Sequence, residues 1–168
     1  MPEAPISLRD LQSILFKSCD LIVPDAWTDM NGHMNEARYV EVAAKATDAL
    51  LDYIGAGQDY VATQKSYFTA ESHVRFLAEA HAGDHLVTMT RVLQGAPKTL
   101  HLFHTLFRSA APAQPVATVE TLLVHVDLKS RRGCLPSDDV ANAVASLRAE
   151  HEKLPLPQGL GRHVGQRP

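Results

Sequence analysis

The chain has 168 residues, of which 45% are hydrophobic and 21% charged, proportions typical of soluble globular domains. That length suits one domain with a buried core, and no change in composition marks a second domain. The net charge of −3 argues against nucleic acid as a partner, because nucleic-acid-binding domains carry a basic surface.

The cysteines and the apolar segments predict a cytoplasmic protein without membrane contact. Cys19 and Cys134 are far apart and form no C-x-x-C pair, so we expect reduced thiols rather than a disulfide framework. The first twenty residues lack a basic segment followed by a sustained apolar one, which argues against a signal peptide. No apolar run reaches the length that spans a bilayer.

The N-terminal region predicts a leader followed by one strand. Apolar residues at helical spacing in residues 7–17 favour a short amphipathic helix or an ordered leader, and we assign residues 1–19 to this leader. Residues 20–27 have the composition of a strand, which Pro24 would break or confine to a sheet edge.

A long helix is expected at residues 36–54, where apolar side chains recur at helical spacing and Gly55 suits the position just past the end. Beyond it the apolar pattern changes to alternation, which is typical of strands. A last helix is expected where Ser137 and two acids open residues 137–154. The alternating segments predict four strands in an antiparallel meander, at residues 65–77, 85–94, 99–109 and 116–128.

A helix with one apolar face needs an apolar surface to cover it. We therefore expect an α+β fold in which a five-stranded antiparallel sheet wraps around the long central helix, with additional terminal helices. These elements would form one domain over residues 20–153. Residues 154–168, which are rich in Pro and Gly, would form an irregular tail.

Polar residues crowd the junction between the first strand and the long helix. In TDMNGHMNEARYV, residues 28–40, Asp29 should end the strand, and His33 to Asn35 should begin or precede the helix. A carboxylate beside the free N–H groups of a helix N-terminus would face an electrophile whose oxygen those groups can bind, which suits acyl transfer. Taken singly, Asp29 or Asn31 is more often a turn or helix cap.

The combined pattern at this junction, D-x-N-G-H-x-N-x-x-x-Y, resembles the hotdog-fold acyl-CoA and acyl-ACP thioesterases of the 4-hydroxybenzoyl-CoA thioesterase type. In that family the pattern opens the central helix around which the sheet wraps. The resemblance covers roughly residues 20–130. It implies hydrolysis of an acyl-CoA without a metal or other cofactor, by a homodimer or a dimer of dimers. The pattern is formed here by Asp29, Asn31, Gly32, His33, Asn35 and Tyr39.

The resemblance also implies a role for each residue of the pattern. Asp29 would be the general base or the nucleophile, and Asn31 and His33 would orient the water, the carboxylate or the carbonyl. A backbone N–H near the helix start would bind the oxyanion. The remaining residues of the pattern would contact the substrate, namely Gly32, Asn35 and Tyr39.

Further segments, such as SYFTAESHVRFL, KTLHLFH and TLLVHVD, resemble the betainyl-CoA thioesterases of carnitine catabolism. That narrower resemblance implies conversion of betainyl-CoA to glycine betaine and free CoA. A trimethylammonium group would need aromatic faces with a carboxylate nearby. Trp27 could instead be a core or interface anchor. The candidates for the cation site are Trp27, Tyr39, Tyr67, Phe68 and Glu71.

Other functions stay open on the residues alone. The fold could serve a thioesterase for another short or aromatic acyl-CoA, a hydratase or dehydratase, or a non-catalytic acyl-CoA-binding protein. Turnover that is lost in Asp29→Ala would separate an enzyme from a binding protein. Product analysis would separate hydrolysis from hydration.

The nine histidines do not predict a metal site. His81 and His85 are four residues apart, but Gly83 places a turn rather than a helix between them. His101 and His104 should point to opposite faces of one strand. We expect His33, His104 and His125 to act as hydrogen-bond partners or to lie near a ligand.

Overall fold

The structure is a computed structural model that describes residues 14–93 and 95–166. A 3-10 turn forms at Asp25–Trp27. The helices in this part of the chain are α1 (Glu36–Tyr53), α2 (Gln58–Ala62) and α3 (Asp138–His151). The strands are β1 (Phe16–Ile22), β2 (Lys65–Phe76), β3 (His85–Leu93), β4 (Thr99–Arg108), β5 (Pro115–Asp127) and the short β6 (Arg132–Gly133).

The sheet has the strand order β1-β3-β4-β5-β2, all antiparallel, and β6 pairs with the end of β5. Five strands around a long central helix confirm the predicted hotdog arrangement. The predicted four-strand meander is wrong, because β2 pairs with β5 and not with β3. The connection 77–84 is long enough to cross the end of the sheet, where the N–H groups of Leu77 and Ala78 both bind Val116 O.

Helix α1 forms where the sequence predicts it. The side chain of Asn35 caps its start by accepting from the N–H of Ala37 at 3.0 Å, and Gly55 follows its end with a φ of 78°. Small side chains on the buried face let the sheet approach the helix closely. That face consists of Tyr39, Val42, Ala43, Ala46, Thr47 and Leu50.

The N-terminal segment differs from its prediction. Strand β1 begins at Phe16 and ends at Ile22, whereas a strand was expected at 20–27. Pro24 has no N–H to donate to a ladder, and the chain turns directly after it. The end of the predicted 7–17 helix is also wrong, since Phe16 and Lys17 pair with β3. The rest of that prediction, up to residue 13, lies outside the described residues.

The C-terminal segment after α3 crosses the face of the sheet opposite α1. Arg91 on β3 donates to Leu154 O at 2.8 Å, and the N–H of Gly161 donates to Glu120 on β5 at 2.8 Å. Its described residues form no helix or strand. None of the described helices has the length and apolar character needed to cross a membrane.

Candidate active site

A tight loop of residues 29–34 holds Asp29 in front of α1. The N–H of Asp29 donates to His33 O at 2.9 Å, and the N–H of Gly32 donates to Asp29 O at 3.0 Å. The N–H of Asn31 donates to Oδ1 of Asp29 at 2.8 Å. One carboxylate oxygen is therefore fixed by the backbone, while Oδ2 accepts no hydrogen bond from the described part of the chain and can act on a ligand. Asp29 follows a 3-10 turn rather than the strand that was expected to precede it.

A second loop, the β2–β3 connection, is fastened to the first. The N–H of Met34 donates to Ala80 O at 2.7 Å, and the N–H of Ala80 donates to the hydroxyl of Tyr39 at 3.2 Å. Met34, Ala80 and Tyr39 are all buried. Burial raises the pKa of Tyr39, so its hydroxyl stays protonated. These contacts bring Glu79 within 3.2 Å of Nε2 of His33.

The two loops and the start of α1 border an open cavity of about 560 Å³. Three carboxylates face it, and two aromatic rings, those of Tyr39 and Phe76, lie in edge contact with centroids 5.2 Å apart. The described residues that line it include no Lys or Arg, so the cavity favours cations. Its lining residues are Asp29, His33, Met34, Glu36, Tyr39, Phe76, Leu77, Ala78 and Glu79.

The start of α1 offers one donor to this cavity. The N–H of Asn35 donates to Trp27 O, and the N–H of Ala37 is capped by the Asn35 side chain. The N–H of Glu36 has no partner among the described residues, and Glu36 lines the cavity with Asp29. A carbonyl oxygen could bind here while Asp29 acts on the attached carbon.

The structure brings together only part of the predicted site. Asp29, His33 and Tyr39 share the cavity. Asn35 acts as the helix cap. Asn31 is exposed and lies outside the cavity lining, so its observed contribution is the backbone bond to Asp29. Gly32 supplies a φ of 79°, which the loop requires.

Trp27 already faces cations of its own chain. The ammonium of Lys45 lies 4.9 Å from the ring centroid, and the guanidinium of Arg38 lies 5.5 Å from it. The ring is half-buried against the core and does not line the cavity. Trp27 therefore stabilises the start of α1 and is poorly placed to receive a substrate cation.

The other three candidates for the cation site, Tyr67, Phe68 and Glu71, lie on two different faces of β2. A β-bulge between Thr69 and Glu71 shifts the alternation of side chains. Tyr67 faces α1 and lines a second cavity of about 150 Å³, and burial raises its pKa to about 12. Phe68 and Glu71 face the opposite side, where Arg131 covers Phe68 at 5.1 Å. Neither Phe68 nor Glu71 lines the cavity beside Asp29.

Sequence reasoning missed residues that complete the site. Glu36, Phe76 and Glu79 line the cavity, and His81 lies close to His33 with ring centroids 5.1 Å apart. The residues His33, Glu79 and His81 have ligating atoms within 4.8 Å of one another, and all three are types that bind metals. The signal in the sequence was the connection of residues 77–84, whose length exceeds that of a tight turn.

Comparison with known proteins identifies relatives of the part of the chain that contains the fold and this cavity. The sequence model of the thioesterase-like superfamily matches residues 23–144. The L-carnitine dehydrogenase/betainyl-CoA thioesterase of Ruegeria pomeroyi is 43% identical over 142 residues, which are 84% of this chain and 28% of that protein. The betainyl-CoA thioesterase of Pseudomonas aeruginosa is 36% identical over 148 residues, which are 88% of this chain and 92% of that protein.

This chain spans about a third of the length of the dehydrogenase/thioesterase relatives that it matches. Among solved structures, a hypothetical protein from Staphylococcus aureus in complex with CoA superposes with a TM-score of 0.84. The two are 20% identical, and the match covers 92% of this chain and 98% of that chain. A likeness at that identity shows a shared fold.

Proposed function

This chain belongs to the thioesterase-like superfamily, and we propose that it is an acyl-CoA thioesterase whose substrate is betainyl-CoA. The products are glycine betaine and free CoA. The observation that carries the proposal is the cavity beside Asp29, which combines three carboxylates with two aromatic rings and has no Lys or Arg among its described lining residues. The 36–43% identity to proteins named betainyl-CoA thioesterase supports the same substrate.

The shape of the substrate explains why this cavity matters. In a betainyl thioester the cationic nitrogen is only two bonds from the carbonyl carbon. A carbonyl placed between Asp29 and the N–H of Glu36 therefore puts the trimethylammonium group inside the same cavity. There the carboxylates of Glu36 and Glu79 lower its electrostatic energy, and the rings of Tyr39 and Phe76 offer apolar and cation–π contact.

The reaction needs few groups. The Asp29 carboxylate attacks the carbonyl carbon or removes a proton from the attacking water. The N–H of Glu36 binds the oxyanion that forms, and His33 orients the reacting groups beside Glu79. The C–S bond then breaks, and CoA leaves as the thiolate, which takes up a proton from protonated Asp29 or from solvent. Where Asp29 attacks directly, water hydrolyses the resulting anhydride to give betaine and the free Asp29 carboxylate.

We also propose that the active form is a homodimer, or a dimer of dimers. Strand β2 is an edge of the described sheet, and its residues 68–72 are exposed. An unpaired edge of this length favours pairing with a second copy. The second cavity, lined by Asp48 and Tyr67, runs between α1 and this edge, so a partner strand would border it. The free thiols of Cys19 and Cys134 suit a cytoplasmic location.

The test measures free-thiol release from betainyl-CoA and from its neutral isostere, 3,3-dimethylbutanoyl-CoA. The two acyl groups share a shape and differ in the charge of one atom. We expect a strong preference for betainyl-CoA and loss of release in Asp29→Ala. Equal rates would leave a thioesterase without a cation site. No release from either, together with CoA binding, would instead favour a non-catalytic acyl-CoA-binding protein.

A further inference from the structure

We propose that His33, Glu79 and His81 form a binding site for a divalent transition-metal ion, and that Zn²⁺ fits it well. This site departs from the sequence-based prediction of no metal, which considered only histidines close together in the chain. It does not depend on the proposed function. Two imidazoles and one carboxylate are a donor set that Zn²⁺ takes in proteins, with a fourth position left open.

The backbone holds the two halves of the site in place. His33 directly precedes Met34, and Glu79 and His81 flank Ala80. The hydrogen bond from the N–H of Met34 to Ala80 O is 2.7 Å long, and both residues are buried. The three ligating side chains therefore project from two fastened loops, although they come from positions far apart in the sequence. Little chain entropy would be lost on binding an ion, which favours affinity.

The distances suit a small ion. Tetrahedral Zn²⁺ with bonds of about 2.0–2.1 Å separates its ligand atoms by about 3.3 Å. Nε2 of His33 and Oε2 of Glu79 are already 3.2 Å apart. His81 completes a set whose ligating atoms all lie within 4.8 Å of one another. The side chain of His81 is 48% exposed, so it can rotate inwards without disturbing the core.

A second carboxylate, that of Asp84, contacts His81. The backbone N–H of His81 donates to Oδ2 of Asp84 at 2.9 Å, and Nδ1 of the ring lies 3.9 Å from the same oxygen, which is an electrostatic contact and not a hydrogen bond. A rotation of the exposed ring that brings Nδ1 into hydrogen-bond range of this carboxylate would leave Nε2 for the metal, the arrangement found behind histidine ligands in metal sites.

The site lies next to Asp29. His33 and Glu79 also line the cavity that contains Asp29, so a bound ion would lie beside that cavity. If the proposed function is right, Zn²⁺ and a cationic acyl group compete for Glu79. Zn²⁺ would then raise the KM for betainyl-CoA more than the KM for the neutral isostere. This consequence rests on the proposed function, whereas metal binding itself does not.

The test is direct titration of the metal-free full chain with Zn²⁺ by isothermal calorimetry, after treatment with EDTA. We expect one equivalent to bind, and His81→Gln and Glu79→Gln to weaken binding at least tenfold. His85→Gln is the matched control, because His85 is an equally exposed histidine whose ring pairs, within the described residues, with Asp20 alone. Asp84→Asn should weaken binding by about tenfold through the orientation of His81.

Two further measurements make the outcome decisive. Co²⁺ in place of Zn²⁺ should give the intense visible absorption of a four-coordinate ion in the wild-type chain and lose it in His81→Gln. Circular dichroism in EDTA should be the same for wild type and both ligand variants, since these side chains are exposed. Absence of Zn²⁺ binding, or binding that survives both ligand variants unchanged, would overturn the proposal.

Discussion

Nε2 of His104 lies 3.0 Å from the hydroxyl of Thr47, inside the interface between the sheet and α1. The hydroxyl of Thr47 donates its proton to Ala43 O, so it accepts from His104. The ring therefore carries its proton on Nε2, and Nδ1 accepts from Thr90 at 2.8 Å. The hydroxyl of Ser18 continues this chain of contacts to β1. One neutral histidine thus joins the helix to three strands.

We expect this histidine to make stability depend on pH. Burial lowers the pKa of His104 from 6.5 to about 4. Between pH 6.5 and pH 4 the His104 ring is protonated in the unfolded chain and neutral in the folded chain. The free energy of unfolding therefore falls as the pH drops through this window. The loss from this group between pH 7 and pH 5 should be about 2 kcal/mol. Urea unfolding at several pH values measures it.

The matched variant for this prediction is His104→Gln, which keeps hydrogen-bonding groups but cannot titrate. Its stability should fall less steeply between pH 7 and pH 5. The stability of the variant should still depend on pH to some extent, because burial also lowers the pKa of His125 and of His151. Parallel stability curves for the wild type and the variant would contradict the assignment to His104.

Tyr60→Phe should destabilise the fold by about 1–3 kcal/mol, because it leaves buried polar groups without partners. The hydroxyl of Tyr60 lies 3.0 Å from Nε2 of His125 and accepts from the N–H of Ser137 at 3.0 Å. Tyr53→Phe is the control, since Tyr53 is 64% exposed and should change stability by less than about 0.5 kcal/mol. Chemical denaturation measures the free energy of unfolding of both variants, and an equal loss in Tyr60→Phe and Tyr53→Phe would refute this account.

Gly32→Ala should separate loss of activity from loss of stability. Gly32 has a φ of 79° and Gly55 a φ of 78°, and an added Cβ would meet nothing within 4 Å at either position. Each alanine should therefore cost about 1–2 kcal/mol through backbone strain alone. Only Gly32 belongs to the loop that holds Asp29, so only Gly32→Ala should also lower kcat/KM, by about tenfold or more.

The measurement for the two glycines is thermal unfolding beside steady-state hydrolysis of betainyl-CoA. Similar shifts in Tm with a selective loss of kcat/KM in Gly32→Ala would support the role of the loop. A comparable loss of activity in Gly55→Ala would show that general destabilisation, and not the position of Asp29, is responsible.

The sequence was sufficient to predict α1 and the long strands, because their apolar periods extend over many residues. Strand β4 was expected at 99–109 and forms at Thr99–Arg108. Strand order is a different problem, since it depends on which distant segments pair. The position of β2 at the edge follows from a ladder with β5 that no local pattern encodes.

The site could be predicted only where its residues are close together in the chain. Asp29, His33 and Tyr39 fall within one motif and share one cavity. Glu79 comes from another loop and reaches His33 only because the β2–β3 connection folds back. The orientation of Phe68 was not predictable, because the bulge between Thr69 and Glu71 places Phe68 on the face opposite that of Phe76.

Glu36→Gln should weaken recognition of the cationic acyl group without changing the chemistry. Glu36 begins α1, lines the cavity beside Asp29 and is not a ligand of the proposed metal site. Its loss should raise the KM for betainyl-CoA by about tenfold, which corresponds to about 1.4 kcal/mol of lost electrostatic attraction. The KM for 3,3-dimethylbutanoyl-CoA should change little, because that acyl group carries no charge.

Glu150→Gln is the control for this prediction, since it removes the same charge from an exposed residue of α3. Glu150 pairs with Lys153 and lies outside the cavity. Both variants should be assayed in EDTA so that no metal ion affects Glu79. If Glu150→Gln reproduced the change in KM, general electrostatic attraction of the substrate would explain it, and Glu36 would have no specific role. A selective effect of Glu36→Gln would place the trimethylammonium group beside the start of α1.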